Sequence, residues 1–338
     1  MSITLARPAP PSPSTGPVDQ GMVVQSAWQD QALWSATADR LKQRLDFWRR
    51  ASAVGGVAGL ALSVQAAGMA DGNARTVLAG LAALLLAVVP YVQKTKVTPA
   101  QLAAWTRARA ASEGLKEAIY RFLLGVPPAD PPGATEGNGT AAPDPASAAA
   151  LVRRCQAIKG RVSDLQSLAA EAPRPDAARP MPSQLDAAGY LDRRVNGQIR
   201  WYGDKANALA RRARKLRGIE FALGLLAVLM GAMSGGDALK DLAALAALVG
   251  ASGLAVWTGV VTTAGAAITT HLAATRIEEL ANVYFATADR LRGLRDEWLT
   301  DEQRDTPERT GGFVDAIERA LSTENQGWLA DWGKGPAG

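Results

Sequence analysis

Cysteine and histidine are almost absent, with one of each among 338 residues. A single cysteine, Cys155, excludes an intrachain disulfide and a thiolate zinc cluster, and a single histidine, His271, excludes a histidine-rich metal site. GxxxxGK[ST], HExxH and GxSxG strings are missing as well. The sequence therefore predicts no enzyme, no catalytic residue, no metal and no cofactor, and Cys155 is interpreted as a packing residue rather than a nucleophile.

Charged residues are absent from long apolar stretches that occur as two close pairs, separated only by DGNAR at 71–75 and DALKD at 237–241. Because about 20 helical residues cross the hydrocarbon core of a bilayer, each pair predicts a hairpin of two membrane spans. The alternative is a soluble bundle of buried, alanine-rich helices. The four spans are predicted at about 51–70, 76–93, 219–236 and 242–262.

Basic residues cluster at the outer ends of both hairpins, whereas the two turns contain only Arg75 and Lys240. This asymmetry is the positive-inside pattern. It predicts a multi-pass membrane protein with both termini in the cytoplasm, and it accounts for the net charge of +5 without nucleic-acid binding. The clustered residues include Arg44, Arg49, Arg50, Lys94, Lys96, Arg107, Arg109, Lys205, Arg211, Arg212, Arg214, Lys215, Arg217 and Arg276.

The predicted fold class is all-α, because helical periodicity surrounds each hairpin and the order amphipathic helix, hairpin, amphipathic helix occurs twice. This order indicates a tandem pair of two-span modules. The predicted organisation is a disordered tail at 1–21, a first module at 22–172 containing a linker at 126–145, a second linker at 173–183, a second module at 184–332 and a tail at 333–338. A single helix of about 25 residues is expected to follow the linker at 126–145.

The second module carries YLDRRVNGQIRWYGDKA at 190–206 and VDAIERALSTENQGWLADW at 314–332. These strings resemble the SLATT family, the two-transmembrane effector domains associated with SMODS nucleotidyltransferases and SLOG sensors. The first module is less distinctly similar to another subgroup of that family. The motif residues, to which the resemblance gives structural roles, are Tyr190, Leu191, Arg194, Gln198, Trp201, Tyr202, Glu318, Glu324, Asn325 and Trp328.

The resemblance implies helices on the cytoplasmic side of a two-span hairpin that oligomerises and permeabilises the inner membrane in bacterial conflict, such as antiphage defence. It also implies a partner protein or a nucleotide-signal sensor acting in trans. Trp201 and Tyr202, near the inner end of a span, are further interpreted as interfacial aromatics.

Small residues recur at intervals of four in the spans, at Gly55 and Gly59 and at Gly231 and Gly235. Such spacing allows close helix packing in lipid, either within each hairpin or between protomers.

Thr258, Thr262 and Thr269 follow one stripe of the last predicted span. A hydroxyl-bearing stripe of this kind predicts the wall of an aqueous pore; the alternative is hydrogen bonding of each threonine back to its own helix. The preferred hypothesis is thus a homo-oligomeric, channel-like effector of roughly four or more copies, since one chain has too few spans for a channel. The alternative hypothesis is a non-conducting scaffold in the lipid bilayer whose cytoplasmic helices bind a partner protein.

Overall fold

The computed structural model describes residues 17–127, 148–173, 179–182, 185–234, 253–304 and 306–333, with side chains described between 20 and 323. Within those ranges the regular elements are helices and no strand occurs. The prediction of an all-α membrane protein is confirmed. Most of the linker at 126–145, the turn at 237–241, residues 242–252 of the fourth span, Gly235 and the side chains of Glu324, Asn325 and Trp328 lie outside the described residues.

Among its described residues, the first module contains five α-helices. Thr98 caps the third by accepting a hydrogen bond from the Gln101 amide at 3.2 Å, and Pro99 occupies the first turn, where its missing N–H costs nothing. The helices are α1 (Pro17–Ala67), α2 (Asn73–Lys96), α3 (Pro99–Leu123), α4 (Ala148–Gly160) and α5 (Gln166–Ala170), with a 3₁₀ turn at Ser163–Leu165 before α5.

The described part of the second module has four helices: α6 (Ala187–Ser234), α7 (Gly253–Thr275), α8 (Ile277–Thr300) and α9 (Pro307–Gly333). Asp186 caps the start of α6, and a π-helical turn at Leu191–Asn196 interrupts its first part. Arg276 has a left-handed backbone conformation, with φ 45°, that separates α7 from α8. L-residues rarely adopt this conformation, so it marks a defined bend where the apolar helix meets the polar one.

Two helix boundaries differ from the sequence predictions. α1 begins at Pro17, inside the tail that was predicted to be disordered, because proline is well suited to the first helical turn. The helix predicted after the linker breaks at Gly160. There the Ser163 hydroxyl donates to the Gly160 carbonyl and a guanidinium nitrogen of Arg107 donates to the Arg161 carbonyl, which together satisfy the backbone of the turn.

Two main cores lie beneath the spans, one in each module. The first is built from α1, α3, α4 and α5 and includes Trp34 and Leu115. The second is built from α6, α8 and α9, and it also takes Tyr120 and Val126 from the end of the first module. The two modules therefore share a core rather than forming independent domains.

Three described helices are long and apolar enough to cross a membrane, namely α2, α6 and the continuous segment Gly253–Thr300 that contains α7. The predicted span at 51–70, which α1 contains up to Ala67, is not among them. Alanine, glycine and serine lower its hydropathy, and Ser52, Val64 and Ala66 are buried against neighbouring helices. A span enclosed by other helices exposes little surface to lipid, so it needs less apolar side-chain area. Four spans remain the prediction.

The spans form a row in the order α2, α1, α7, α6, because α1 packs against both α2 and α7, and α7 packs against α6. The inner positions belong to α1 and α7. This row places both hairpins side by side, with the two cores at one end.

Candidate functional site

The spans present a broad apolar surface to their surroundings. Phe221 and Val228 on α6 are 74% and 68% exposed, and α2 exposes Val77, Leu84 and Val88. A soluble protein rarely leaves so many large apolar side chains in one exposed band. This band is the surface that contacts lipid acyl chains, which fits the exposure of the outer helices α2 and α6.

Close backbone packing occurs inside the first hairpin at Gly59. A Cβ atom built at Gly59 would lie 2.9 Å from Leu86 Cγ and 3.3 Å from the Ala82 carbonyl oxygen. At Gly55 the nearest atom would be Val89 Cγ2 at 3.9 Å. Gly231 on α6 meets nothing within 4 Å among the described atoms. The glycines of the first hairpin thus pack internally, whereas Gly231 lies on a surface open to other molecules.

Thr258, Thr262 and Thr269 lie on α7, where each hydroxyl bonds back to a carbonyl of its own helix. The Thr258 hydroxyl donates to Leu254 at 3.0 Å and the Thr262 hydroxyl to Thr258 at 2.8 Å. Thr269 bonds to the Gly265 carbonyl and also to a carboxylate oxygen of Glu220. Thr262 and Thr269 are exposed on the single chain. Their hydroxyl dipoles are therefore satisfied while the side chains remain accessible from outside.

Basic side chains concentrate where the spans meet the two cores. Arg217 at this level on α6 binds both oxygens of Glu278 on α8, at 3.0 and 3.2 Å. Arg212 lies 3.4 Å from His271 of α7. These contacts join the two helices of the second hairpin where they leave the apolar region.

Tyr190, Arg194 and Glu318, which the sequence singled out, come together in the buried core. Both oxygens of Glu318 accept hydrogen bonds from Arg194, at 2.9 and 2.8 Å, and the Tyr190 hydroxyl donates to one of them at 2.9 Å. Arg194 is 2% exposed and Glu318 is 3% exposed. The π-helical turn around Arg194 lies at this site, as such turns often do where a helix must re-aim a side chain.

Glu113 of α3 extends this cluster to the first module, where its carboxylate lies 3.4 Å from Arg194. Burial raises the pKa of Glu113, but Lys116, Arg194 and Arg109 lower it more, so it falls below its ordinary value. Burial opposes the charged form of Arg194, yet the adjacent Glu318 raises its pKa well above the usual range. Glu113 and Arg194 therefore carry opposite charges in the folded protein, and their attraction offsets part of the cost of burying them.

A second buried arginine, Arg121, also crosses between modules. Its guanidinium binds Glu117 at 3.0 Å, Asp315 on α9 at 2.6 Å and the Pro127 carbonyl at 3.1 Å. Together with Arg194 it fastens α9 to α3. Sequence reasoning missed Arg121, Glu113 and Asp315, because no motif relates charges so far apart in the chain.

The other motif residues line the same core or its edge. Leu191 packs on the second core, and Gln198 is half-buried. Tyr202 is 3% exposed within the core, in edge contact with Tyr284, so its interpretation as an interfacial aromatic is wrong. It lies roughly 28 Å along the helix from Phe221, too far from the apolar band to reach the membrane surface. Trp201 beside it is exposed to solvent.

Cys155 is buried in the first core. Burial, reinforced by the nearby Asp30 carboxylate, raises the pKa of its thiol to about 11. A thiol in this environment is a poor nucleophile at neutral pH, in keeping with a packing role.

Comparison with family models found two matches along the chain. Residues 190–328 match the SMODS and SLOG-associating 2TM effector domain 1, and residues 30–131 match a family described as a protein of unknown function, DUF4231. The two matches fall on the two modules of the structure. Searches of curated proteins and of solved structures found no match.

Proposed function

We propose that the protein is a membrane-associated effector that assembles into a pore, because residues 190–328 match the SMODS and SLOG-associating 2TM effector domain 1. The observation that carries this proposal is the exposure of Thr262 and Thr269 on an inner helix of the row of spans. Polar, uncharged side chains suit the wall of a water-filled passage. A neighbouring copy would cover the remaining surface and close the passage.

The bend at Arg276 supports a gate at the cytoplasmic end of this passage. Arg276 separates the apolar helix α7 from the polar helix α8, and its guanidinium pairs with Glu279 in the first turn of α8. Element ends that hold an unusual backbone conformation are common places for a hinge. In the proposed mechanism, movement of α8 with the cytoplasmic cores shifts α7 and changes the width of the passage.

The basic belt at the cytoplasmic ends of the spans sets the proposed orientation. Arg49, Lys94, Arg212 and Arg217 lie near the same ends of the four helices as the two cores. The positive-inside tendency then places both cores and both termini in the cytoplasm of a bacterium, with the hairpin turns outside the inner membrane. A partner protein or sensor acting in trans would engage the cytoplasmic cores, and the protein would act in antiphage defence without catalysing a reaction or binding nucleic acid.

Ion flux through liposomes tests the pore directly. The variant Thr262→Leu with Thr269→Leu removes the two exposed hydroxyls of the predicted stripe and narrows the passage, so the flux rate should fall by roughly tenfold, since apolar constrictions dewet. The matched control is Thr263→Leu with Thr270→Leu, which makes the same chemical change on an adjacent stripe of α7 and should leave the flux close to that of the parent.

Equal flux in both double variants would remove the threonine stripe from the mechanism. If the parent protein is inserted in the liposomes and conducts nothing under any stimulus tested, the pore is wrong and the alternative of a non-conducting scaffold for a partner protein takes its place.

A further inference from the structure

A cleft of about 610 Å³ opens between the two modules on the cytoplasmic side of the spans. Its walls come from α1, α3, α6 and α8, so both modules contribute. The volume falls in the range typical of small-molecule sites, about 300–1,000 Å³. The pore does not require this cleft, and the buried arginine clusters do not fill it.

Three cations from three different helices converge on the cleft, namely Lys42 of α1, Arg109 of α3 and Lys205 of α6. Burial lowers the pKa of Lys42, and the positive charges of Arg109 and Lys205 lower it further. Asp46 and Asp39 offset this repulsion only in part, because the pKa of Lys42 still lies below its ordinary value. These cations repel one another in the folded protein, and an anion placed between them would relieve that repulsion.

The wall also contains three carboxylates, Asp39 and Asp46 on the helix of Lys42 and Glu113 on α3, together with Lys116. Glu113 and Lys116 lie farther along α3 than Arg109. They pair with each other at 3.9 Å, and Glu113 also binds Arg194. Among the described side chains, neither Lys42 nor Lys205 forms an ion pair. The two ammonium groups are thus the cations of the cleft that an incoming anion can engage directly.

Aromatic rings lie beside these cations. The Lys42 ammonium is 5.3 Å from the centroid of Trp105, and the Arg109 guanidinium is 5.8 Å from that of Trp201. Trp201 is 42% exposed, and Tyr202 and Tyr284 contact it at 4.9 and 5.6 Å between ring centroids. Its exposed ring surface is held in place by these neighbours and offers a platform on which a planar group can stack.

We propose that the cleft binds a soluble phosphate-bearing small molecule with a planar ring, the chemistry of a nucleotide, with its phosphate between Lys42 and Lys205 and its ring against Trp201. Ammonium groups form charge-assisted hydrogen bonds to phosphate oxygens, and heteroaromatic rings stack on indole. Because the cleft extends away from the spans along α3 toward Glu113, a free ligand fits it better than a lipid headgroup held at the membrane surface.

Binding at this cleft would reach the membrane through continuous helices. α1 runs unbroken from Lys42 into the first hairpin, and α6 runs from Lys205 into the second. A ligand that draws Lys42 and Lys205 together moves the two hairpins relative to each other. This regulatory consequence rests on the proposed pore, whereas the binding itself does not.

Isothermal titration calorimetry on the full chain in a neutral detergent tests the binding. The probes are ATP and AMP, inorganic pyrophosphate as phosphate without a ring, adenosine as ring without a phosphate, and short-chain phosphatidic acid in mixed micelles as the lipid source. ATP or AMP should bind with a dissociation constant below about 1 mM, and adenosine and pyrophosphate should bind more weakly.

Variants locate the binding in the cleft. Lys42→Gln with Lys205→Gln should weaken nucleotide binding by roughly tenfold or more, as expected for losing charge-assisted hydrogen bonds. Trp201→Leu should remove the preference for nucleotide over pyrophosphate. Lys215→Gln is the matched control, since Lys215 is an exposed lysine of the same helix that does not line the cleft.

Several outcomes would overturn the assignment. They are no heat from any nucleotide, adenosine binding as tightly as ATP, equal loss in the Lys215→Gln control, and binding of phosphatidic acid alone. Circular dichroism of each variant separates lost binding from lost folding. Because calorimetry requires no conduction, a chain that binds nucleotide but passes no ions disproves only the pore, and a conducting chain that binds none disproves only the ligand site.

Discussion

Arg194 owes its place in the interior to partners on two other helices, Glu318 and Glu113. Removing one member of a buried ion pair leaves the other charge buried without its partner, which costs about 3–5 kcal/mol of stability. Replacing both by apolar residues costs much less. We therefore expect Arg194→Met and Glu318→Met each to lower the thermal midpoint of the helices outside the spans strongly, and the double variant to recover part of the loss. Circular dichroism melts of the solubilised protein measure this.

Two further variants, Tyr190→Phe and Arg107→Met, provide controls for the loss of a single hydrogen bond and of a surface ion pair. The Tyr190 hydroxyl contributes one hydrogen bond to Glu318, so its removal should cost about 0.5–1.5 kcal/mol. Arg107 pairs with Asp164 at the surface, and its loss should hardly move the midpoint. A double variant that melts as low as the sum of the two single losses would show that Arg194 and Glu318 act independently, contrary to the geometry.

Cys155 offers a second prediction, because burial raises the pKa of its thiol to about 11. At pH 8 only a small fraction is thiolate, so iodoacetamide should modify the native protein slowly, and the rate should rise about tenfold per pH unit until pH approaches the pKa. Mass spectrometry of the intact chain follows the reaction. Denatured protein is the control and should react much faster, whereas equal rates in the two states would show that Cys155 is accessible in the fold.

Only part of the buried cluster could be predicted from the sequence, and the reason is physical. Tyr190 and Arg194 lie one helical turn apart and therefore share a face, which a local pattern can reveal. Their contact with Glu113 joins residues 81 positions apart. Such a contact depends on how α3 docks against α6, and no local spacing encodes that docking.

At the level of the elements, the first hairpin depends on close approach of α1 and α2 at Gly59. The variant Gly59→Leu places side-chain atoms where Leu86 and the Ala82 carbonyl already lie, so the helices must separate. Its thermal midpoint should fall by several degrees, corresponding to about 1–3 kcal/mol. Gly231→Leu is the matched control, because nothing described lies within 4 Å of that position, and it should leave the midpoint of the monomer unchanged.

The same control reports on assembly. If Gly231→Leu keeps the fold but lowers the native mass of the complex, Gly231 packs between protomers. If Gly59→Leu melts like the parent, the packing of α1 against α2 is looser than the structure indicates.

Element types followed from the sequence more readily than their boundaries. Thr98 and Pro99 form a cap and a first turn within four residues of Gln101, so the start of α3 could be predicted. The break after Gly160 could not, because Arg107 of a distant helix stabilises that turn. Hydropathy likewise indicated α2 and α6 well, but it is a weak signal for α1, which neighbouring helices shield from lipid.

For the whole molecule, the tandem arrangement could be predicted because two hairpins repeat in the sequence. The contribution of the first module to the second core could not. Tyr120 and Val126 complete the second core from the first module, and Arg121 binds Asp315 across the same boundary. The two modules should therefore move as a unit through their cores. Independent domains on one linker would instead leave each core complete within its own module.

The row of four spans makes assembly the decisive property of the whole molecule. One row cannot enclose an aqueous passage, so a pore requires copies arranged in closed symmetry, and roughly four or more copies are expected. Light scattering of the solubilised complex, with the detergent and lipid mass subtracted, measures the copy number. A closed assembly across several mild detergents supports the ring, because specific packing between spans persists when the lipid is exchanged. A monomer or dimer in all of them would leave α7 unable to line a passage, and the cytoplasmic cores would then act as a scaffold for a partner.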